Sequence, residues 1–281
     1  MGTRVEDLEI TEIHANAHES LRHVLIDLWR YRELFLAFVV RDLKVRYKQT
    51  LLGVAWVIIV PLLMSGVITV IMSKVGQNHQ VKQDLPGMLF YLAAFVPWQC
   101  FASGLSQAAS CLESSSGLIS KIYFPRIIVP LSVLCATVID FLIGWTFFNV
   151  LAAFLGYWTW KFLVFTPVLL SLQLATALGA GVVLAALNAQ FRDIRYVVPF
   201  LTQFGMFLTP VLYTATMVPK WLIWGVWINP MAGVIEAYRA LLINDYVPYR
   251  MLAANTVTAM ILLLFGIWFF QRRVQRIIDF L

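Results

Sequence analysis

Charge is scarce in this chain. Only 13% of its 281 residues are Asp, Glu, Lys or Arg, about half the ~25% usual in soluble domains, while 60% are hydrophobic. That shortage excludes an ordinary water-soluble domain. Cysteine is scarcer still. Cys100, Cys111 and Cys135 lie in or beside apolar runs, with no metal-ligand spacing or disulfide framework among them, so they read as small hydrophobes. No Gly-Lys dipeptide occurs, which excludes the G-x-x-x-x-G-K-[ST] cradle for nucleotide phosphates. The zinc pattern begun by His18-Glu19 ends at Arg22, where a second histidine is needed. His14 and His18 read as part of a solvated face. No Ser/His/Asp set stands out, so the expectation is no catalytic residue and no metal. The polar first thirty residues carry no cleavable signal pattern.

What is abundant is long apolar sequence. Several runs reach the ~20 residues that a helix needs to cross ~30 Å of hydrocarbon. Six spans are expected, at about 51–74, 88–111, 127–155, 164–190, 197–216 and 251–270. The fold class is therefore all-α, a polytopic membrane protein. Sorting the 21 Lys and Arg residues by loop puts fifteen on one side and six on the other. The richer side holds both termini and the loops after the second and fourth spans. The positive-inside rule makes that side cytoplasmic. The net charge of +6 thus reads as membrane orientation and not as a nucleic-acid surface.

Two segments fit neither a span nor a plain loop. Residues 29–50 are too charged to cross, yet Leu36, Val40, Leu43 and Tyr47 form one apolar stripe at helical spacing, with Arg41, Lys44 and Lys48 on another face. The expectation is an amphipathic helix lying in the interface, its cations toward anionic lipid or a cytoplasmic partner. Residues 217–250 are too interrupted to span and too apolar for a loop. Asn229-Pro230 reads as a helix start, and Trp221, Trp224 and Trp227 as headgroup-depth anchors. A re-entrant or interfacial pair of short helices is expected there.

Four smaller features carry alternatives. The polar stretch 113–126 ends in Lys121-Ile-Tyr-Phe-Pro-Arg126, either a cationic anchor before a span or a place where a soluble partner pushes. Arg192, Asp193 and Arg195 read as an inside turn with a weak ion pair or as a second cytoplasmic contact. Asp140 sits within the third span, where an ionised carboxylate costs ~2.5–3.5 kcal/mol. A hydrogen bond to a neighbouring helix is preferred over proton coupling. Glu236 and Arg239 stand at i,i+3 and suit a local ion pair.

The stretches RDLKVRYKQTLLGVAW, LISKIYFPRIIVPLSVL, LNAQFRDIRYVVPFLTQFGMFLTPVLY and INPMAGVIEAYRALL occur in that order. Together they resemble the membrane subunit of type-2 ATP-binding-cassette exporters of cell-surface polysaccharides. The likeness runs over roughly 29–275 and leaves out an N-terminal extension, residues 1–28. It implies a six-helix transmembrane domain, 51–281, used as two copies with two separate cytoplasmic ATP-binding subunits. ATP and Mg would be bound by those partners and no cofactor by this chain. It implies export of a lipid-linked glycan, O-antigen-like or teichoic acid, across the bacterial inner membrane. By motif, Lys121, Ile122, Tyr123, Phe124, Pro125 and Arg126 correspond to the coupling element on the ATPase. Arg41, Asp42, Lys44, Arg46 and Tyr47 correspond to the interface helix. The 217–245 segment, with Trp224, Asn229, Pro230, Glu236 and Arg239, corresponds to the outer gate. The rivals are an ion-coupled secondary transporter using Asp140 and a membrane-bound glycosyltransferase, which needs paired acids that Asp193 lacks.

Overall fold

The computed structural model describes residues 29–48, 53–74, 85–119, 124–191, 193–243 and 247–277. The N-terminal extension, Lys121, Ile122, Tyr123 and Arg192 lie outside the described residues. In chain order the helices are α1 (Arg32–Tyr47), α2 (Ala55–Lys74), α3 (Gly87–Ser114), α4 (Ser116–Ile119), α5 (Ile128–Phe154), α6 (Lys161–Asn188), α7 (Ile194–Leu208), α8 (Ile223–Ile228), α9 (Ala232–Leu242) and α10 (Tyr249–Ile277). A 3-10 turn, Ala215–Met217, precedes α8. Among the described residues the protein is helical, with no strand.

Among the described residues five helices, α2, α3, α5, α6 and α10, are long and apolar enough to cross a membrane. They coincide with five of the six expected spans. The sixth departs from expectation. The run 197–216 is helical only as far as Leu208, so α7 has 15 residues and covers about 22 Å at 1.5 Å per residue. The reason is local. Pro210 pushes the residue before it out of the helical region, and Thr209 is extended at φ −95°, ψ 141°.

α3 is the axis of the bundle. Within its most apolar stretch 72% of residues are buried, against 11% for α2 and 22% for α10, so α2 and α10 are peripheral and α3 is wrapped by α2, α5 and α6. Small residues set the closest approaches. A Cβ on Gly179 in α6 would stand 2.7 Å from the backbone of Leu262 and Leu263 in α10, and one on Gly266 would strike the Gly179 carbonyl. Such backbone-on-backbone contact is how helices associate where lipid removes the hydrophobic incentive.

One end of the bundle gathers α1, the C-terminal ends of α3, α6 and α10, and the N-terminal ends of α5 and α7. Arg126 reaches the Val274 carbonyl, Arg195 reaches Glu113, and Arg273 donates to Gln190. The opposite end holds the start of α3, the 209–242 segment and the start of α10. An aromatic nest there stacks Trp145 on Phe148 (centroids 4.6 Å) and sets Tyr238 edge-on to Trp145 at 4.7 Å.

Candidate functional site

α1 turns an unexpected face inward. Tyr31, Leu34, Phe35 and Phe38 pack on the bundle, and farther along the helix Asp42, Arg46 and Tyr47 make polar bonds to it. Leu36 and Val40, expected on the same stripe as Tyr47, are instead 57% and 48% exposed. They share the outward face with Lys44, Val45 and Lys48. The correction has a simple cause: both faces mix apolar and charged residues, so periodicity alone does not say which one the protein covers. The outward face, apolar with flanking lysines, has the composition of a headgroup contact.

The inward face is a polar weld. Arg41 bonds Asp42 at 2.7 Å and the Ser115 hydroxyl at 3.2 Å, and the Ser132 hydroxyl donates to Asp42 at 3.1 Å. One turn on, the Arg46 guanidinium donates to Asp140 and to the Gln107 side-chain oxygen, and the Tyr47 hydroxyl donates to the other Asp140 oxygen. Gln107 is fixed in turn by donating to Ser103 at 2.6 Å. Asp140 is therefore held by α1, as the hydrogen-bonded alternative expected. Burial, and then the bond to Asp140, push the Tyr47 phenol up to about 12.

The stretch 113–126 is less loop than its composition implies. Glu113 and Ser114 complete α3, and α4 follows after one turn residue. Of the six coupling residues the structure describes three. The Phe124 ring is buried and lies 5.5 Å from the Phe38 ring. Pro125 opens the turn into α5, its carbonyl accepting from the Ile128 N–H at 3.1 Å. Arg126 donates to the Val274 carbonyl at 2.6 Å, a cation at a helix C-terminal region, where the dipole favours it by ~0.3–1 kcal/mol. Phe124 and Arg126 thus face inward and tie the segment to α1 and α10.

The set expected as a second cytoplasmic contact is divided. Asp193 is exposed just before α7 and makes no side-chain cap there. Arg195 crosses to Glu113 at 2.5 Å, and the Asn188 amide donates to the other Glu113 oxygen at 3.3 Å. Both ion-pair partners are about half exposed, so the bridge is worth little by itself, ~0–1 kcal/mol.

At the opposite end Arg239 is 2% exposed. It donates to the Pro210 and Tyr213 carbonyls at 2.6 Å each and to the Val211 carbonyl. Its guanidinium lies 4.4 Å from the Phe90 ring centroid and 3.5 Å from Glu236. Glu236 also accepts from the Ala215 N–H at 3.1 Å. The expected i,i+3 pair is present, but it is one part of a clip that closes the turn after α7. Asn229 does not cap α9 from the expected position, since the helix begins at Ala232 behind Met231. Its oxygen instead accepts from the Met231 N–H at 3.0 Å, and its amide donates to Thr209 at 2.8 Å. Pro230 lies in the turn before Met231. Trp221 and Trp224 are largely exposed, as headgroup anchors would be. Sequence reasoning missed Asn255, whose buried side chain accepts from the Gly233 N–H at 2.6 Å and donates to the Trp227 carbonyl at 2.7 Å. An asparagine in the first turns of an apolar span was the available signal.

Known proteins with the same pattern give this arrangement a context. The family model for ABC-2 type transporters matches residues 33–243. The O-antigen export system permease protein RfbA of Myxococcus xanthus is 30% identical over 239 residues, covering 82% of this chain and 90% of that protein. A Klebsiella pneumoniae protein of the same name is 28% identical, with 89% and 95% covered. The polysialic acid transport protein KpsM of Escherichia coli is 21% identical, with 75% and 81% covered. The matched region takes in nearly all of α1, the 113–126 segment and the Arg239 clip, and the chain belongs to the membrane-protein family of ABC-2 type transporters.

Proposed function

We propose that the chain is the membrane subunit of an ATP-driven exporter that carries a lipid-linked, O-antigen-like polysaccharide from the bacterial cytoplasm across the inner membrane. Likeness to relatives named for O-antigen export supports the substrate class. The observation that carries the mechanism is the tying of Phe124 to α1 and of Arg126 to α10 at the charge-rich end. A push on this segment reaches α1, α5 and α10 together. Two copies of the chain work with two ATP-binding subunits, which hold ATP and Mg. Both termini and the segment 29–50 lie on the cytoplasmic side. The transmembrane domain starts near 51, and 1–28 is a separate extension. Lys121, Ile122 and Tyr123, with Arg192 and Asp193, are the side chains proposed to meet the ATP-binding subunits.

Coupling requires that the nucleotide states of the partner bind differently to two conformations of the membrane subunit. The test is surface display of glycan in cells that carry the chain with either an active or a hydrolysis-dead ATP-binding subunit. Display is expected with the first only. Export that persists with the dead subunit overturns ATP drive and favours a secondary transporter. Substitution of Tyr123 and Arg126 is expected to leave hydrolysis running while display falls.

A further inference from the structure

At the charge-rich end a groove of about 350 Å³ opens between α3, α6 and α7. That is the lower end of the ~300–1,000 Å³ usual for small-ligand sites and suits one or two sugar rings. Ser106, Ser110 and Glu113 line it from one face of α3, Asn188 from the last turn of α6, and Arg195 and Pro199 from α7. The polar groups present a definite pattern. Asn188 is 9% exposed, and its amide nitrogen donates to the Ala109 carbonyl at 3.2 Å and to Glu113. Those two acceptors fix the orientation of the amide, because a flip would set oxygen against oxygen. The Asn188 amide thereby holds Glu113 in place in the groove wall. The Ser110 hydroxyl proton is directed to the Ser106 and Gln107 carbonyls, so its oxygen offers lone pairs to the groove. Glu113 and Arg195 neutralise one another at 2.5 Å.

We infer that this groove holds a sugar unit of the transported glycan as an uncharged, polyhydroxylated ligand. This rests on the exporter reading and adds a place where the glycan is gripped. Hydroxyl groups both donate and accept, so they match a wall that offers the lone pairs of Ser110 beside the carboxylate of Glu113 and the guanidinium donor of Arg195. A site whose charges cancel gives a phosphate little advantage over a hydroxyl. Val198, Pro199 and Ala109 supply apolar surface for the C–H side of a ring.

The experiment uses the full complex with its ATP-binding subunits in nanodiscs. The probe is the delipidated glycan released by mild acid from the cell's own surface polysaccharide. Wild-type complex is expected to bind it, and Ser110→Trp, an exposed position whose substitution fills the groove, to weaken binding at least tenfold with an unchanged melting temperature. Asn188→Ala is expected to weaken it about fivefold, and phosphate at equal concentration not to compete. Undiminished binding by both variants, or no binding by a wild-type complex that still exports, overturns the site and leaves the exporter reading intact. Loss of the ATP-binding subunits from the Ser110→Trp complex also overturns it, by making the groove a partner contact. Competition by phosphate overturns the ligand class. A wild-type complex that neither binds nor exports any glycan sinks the exporter reading itself.

Discussion

Arg46 on α1 and Asp140 in the middle of α5 form an ion pair across 94 positions of sequence, and neither side chain is more than one-fifth exposed. A charged helix outside the long apolar runs is thereby fastened to a helix long and apolar enough to cross a membrane. Removing one partner strands the other's charge in a poorly solvated place, which costs on the order of 3 kcal/mol. Arg46→Ala is expected to lower the melting temperature of the purified protein by several degrees. Asp140→Asn placed on top of it should recover part of that loss, because the stranded carboxylate is gone. If the double variant melts below Arg46→Ala, the pairing is not what holds α1.

Tyr47 gives the same junction an alkaline signature. Its phenol, ordinarily near 10, is raised to about 12 in the folded protein by burial and by the bond to Asp140. Its contribution to stability is fully present below pH 10 and is lost as pH rises through about 12. Between those values wild type should lose melting temperature more steeply than Tyr47→Phe, which has no proton to give up. Parallel curves for the two would remove Tyr47 from the junction.

Phe124 tests the coupling segment without touching a charge. Phe124→Ala removes the ring that rests on Phe38 and is expected to cut glycan display at least tenfold while ATP hydrolysis in proteoliposomes continues. Phe124→Leu, which refills most of the volume, should restore most of the display. Equal display by Ala and wild type would show that this contact does not transmit motion.

Arg239 is the most stringent position at the far end. Three carbonyls, a carboxylate and an aromatic face converge on one guanidinium, a fork that a lysine ammonium does not reproduce. Both Arg239→Lys and Arg239→Ala should lower the yield of folded protein, Ala by ~3–5 kcal/mol of stability. Glu236→Gln should be milder, since an amide oxygen still accepts from Ala215 and the three carbonyl bonds to Arg239 persist. The readout is monodisperse protein on size exclusion together with its melting temperature.

Length and hydropathy made five spans legible, because nothing but a helix satisfies twenty consecutive backbone groups in lipid. The shortened α7 was legible too, in Thr209-Pro210, but apolar run length outweighed that signal. The partners of Asp140 were not readable. Arg46 and Tyr47 lie 94 and 93 positions away, and only the packing of α1 on α5 brings them in. For the same reason Glu113 read as part of a loop, when its role is to meet Asn188 and Arg195 from two later helices. The orientation of α1 was hidden because the face that the protein covers carries Asp42 and Arg46, residues that sequence patterns assign to water.

The glycine contact between α6 and α10 bears on where this protein is able to change shape. With Gly179 and Gly266 in backbone contact there is no layer of side chains between the helices to re-pack, so a shear of even one ångström meets main chain. These two helices travel as a single strut. Arg126, fastened to the Val274 carbonyl, grips the end of that strut, so a push on its segment is expected to move α6 and α10 as one body against the thinly buried α2 and the short α7.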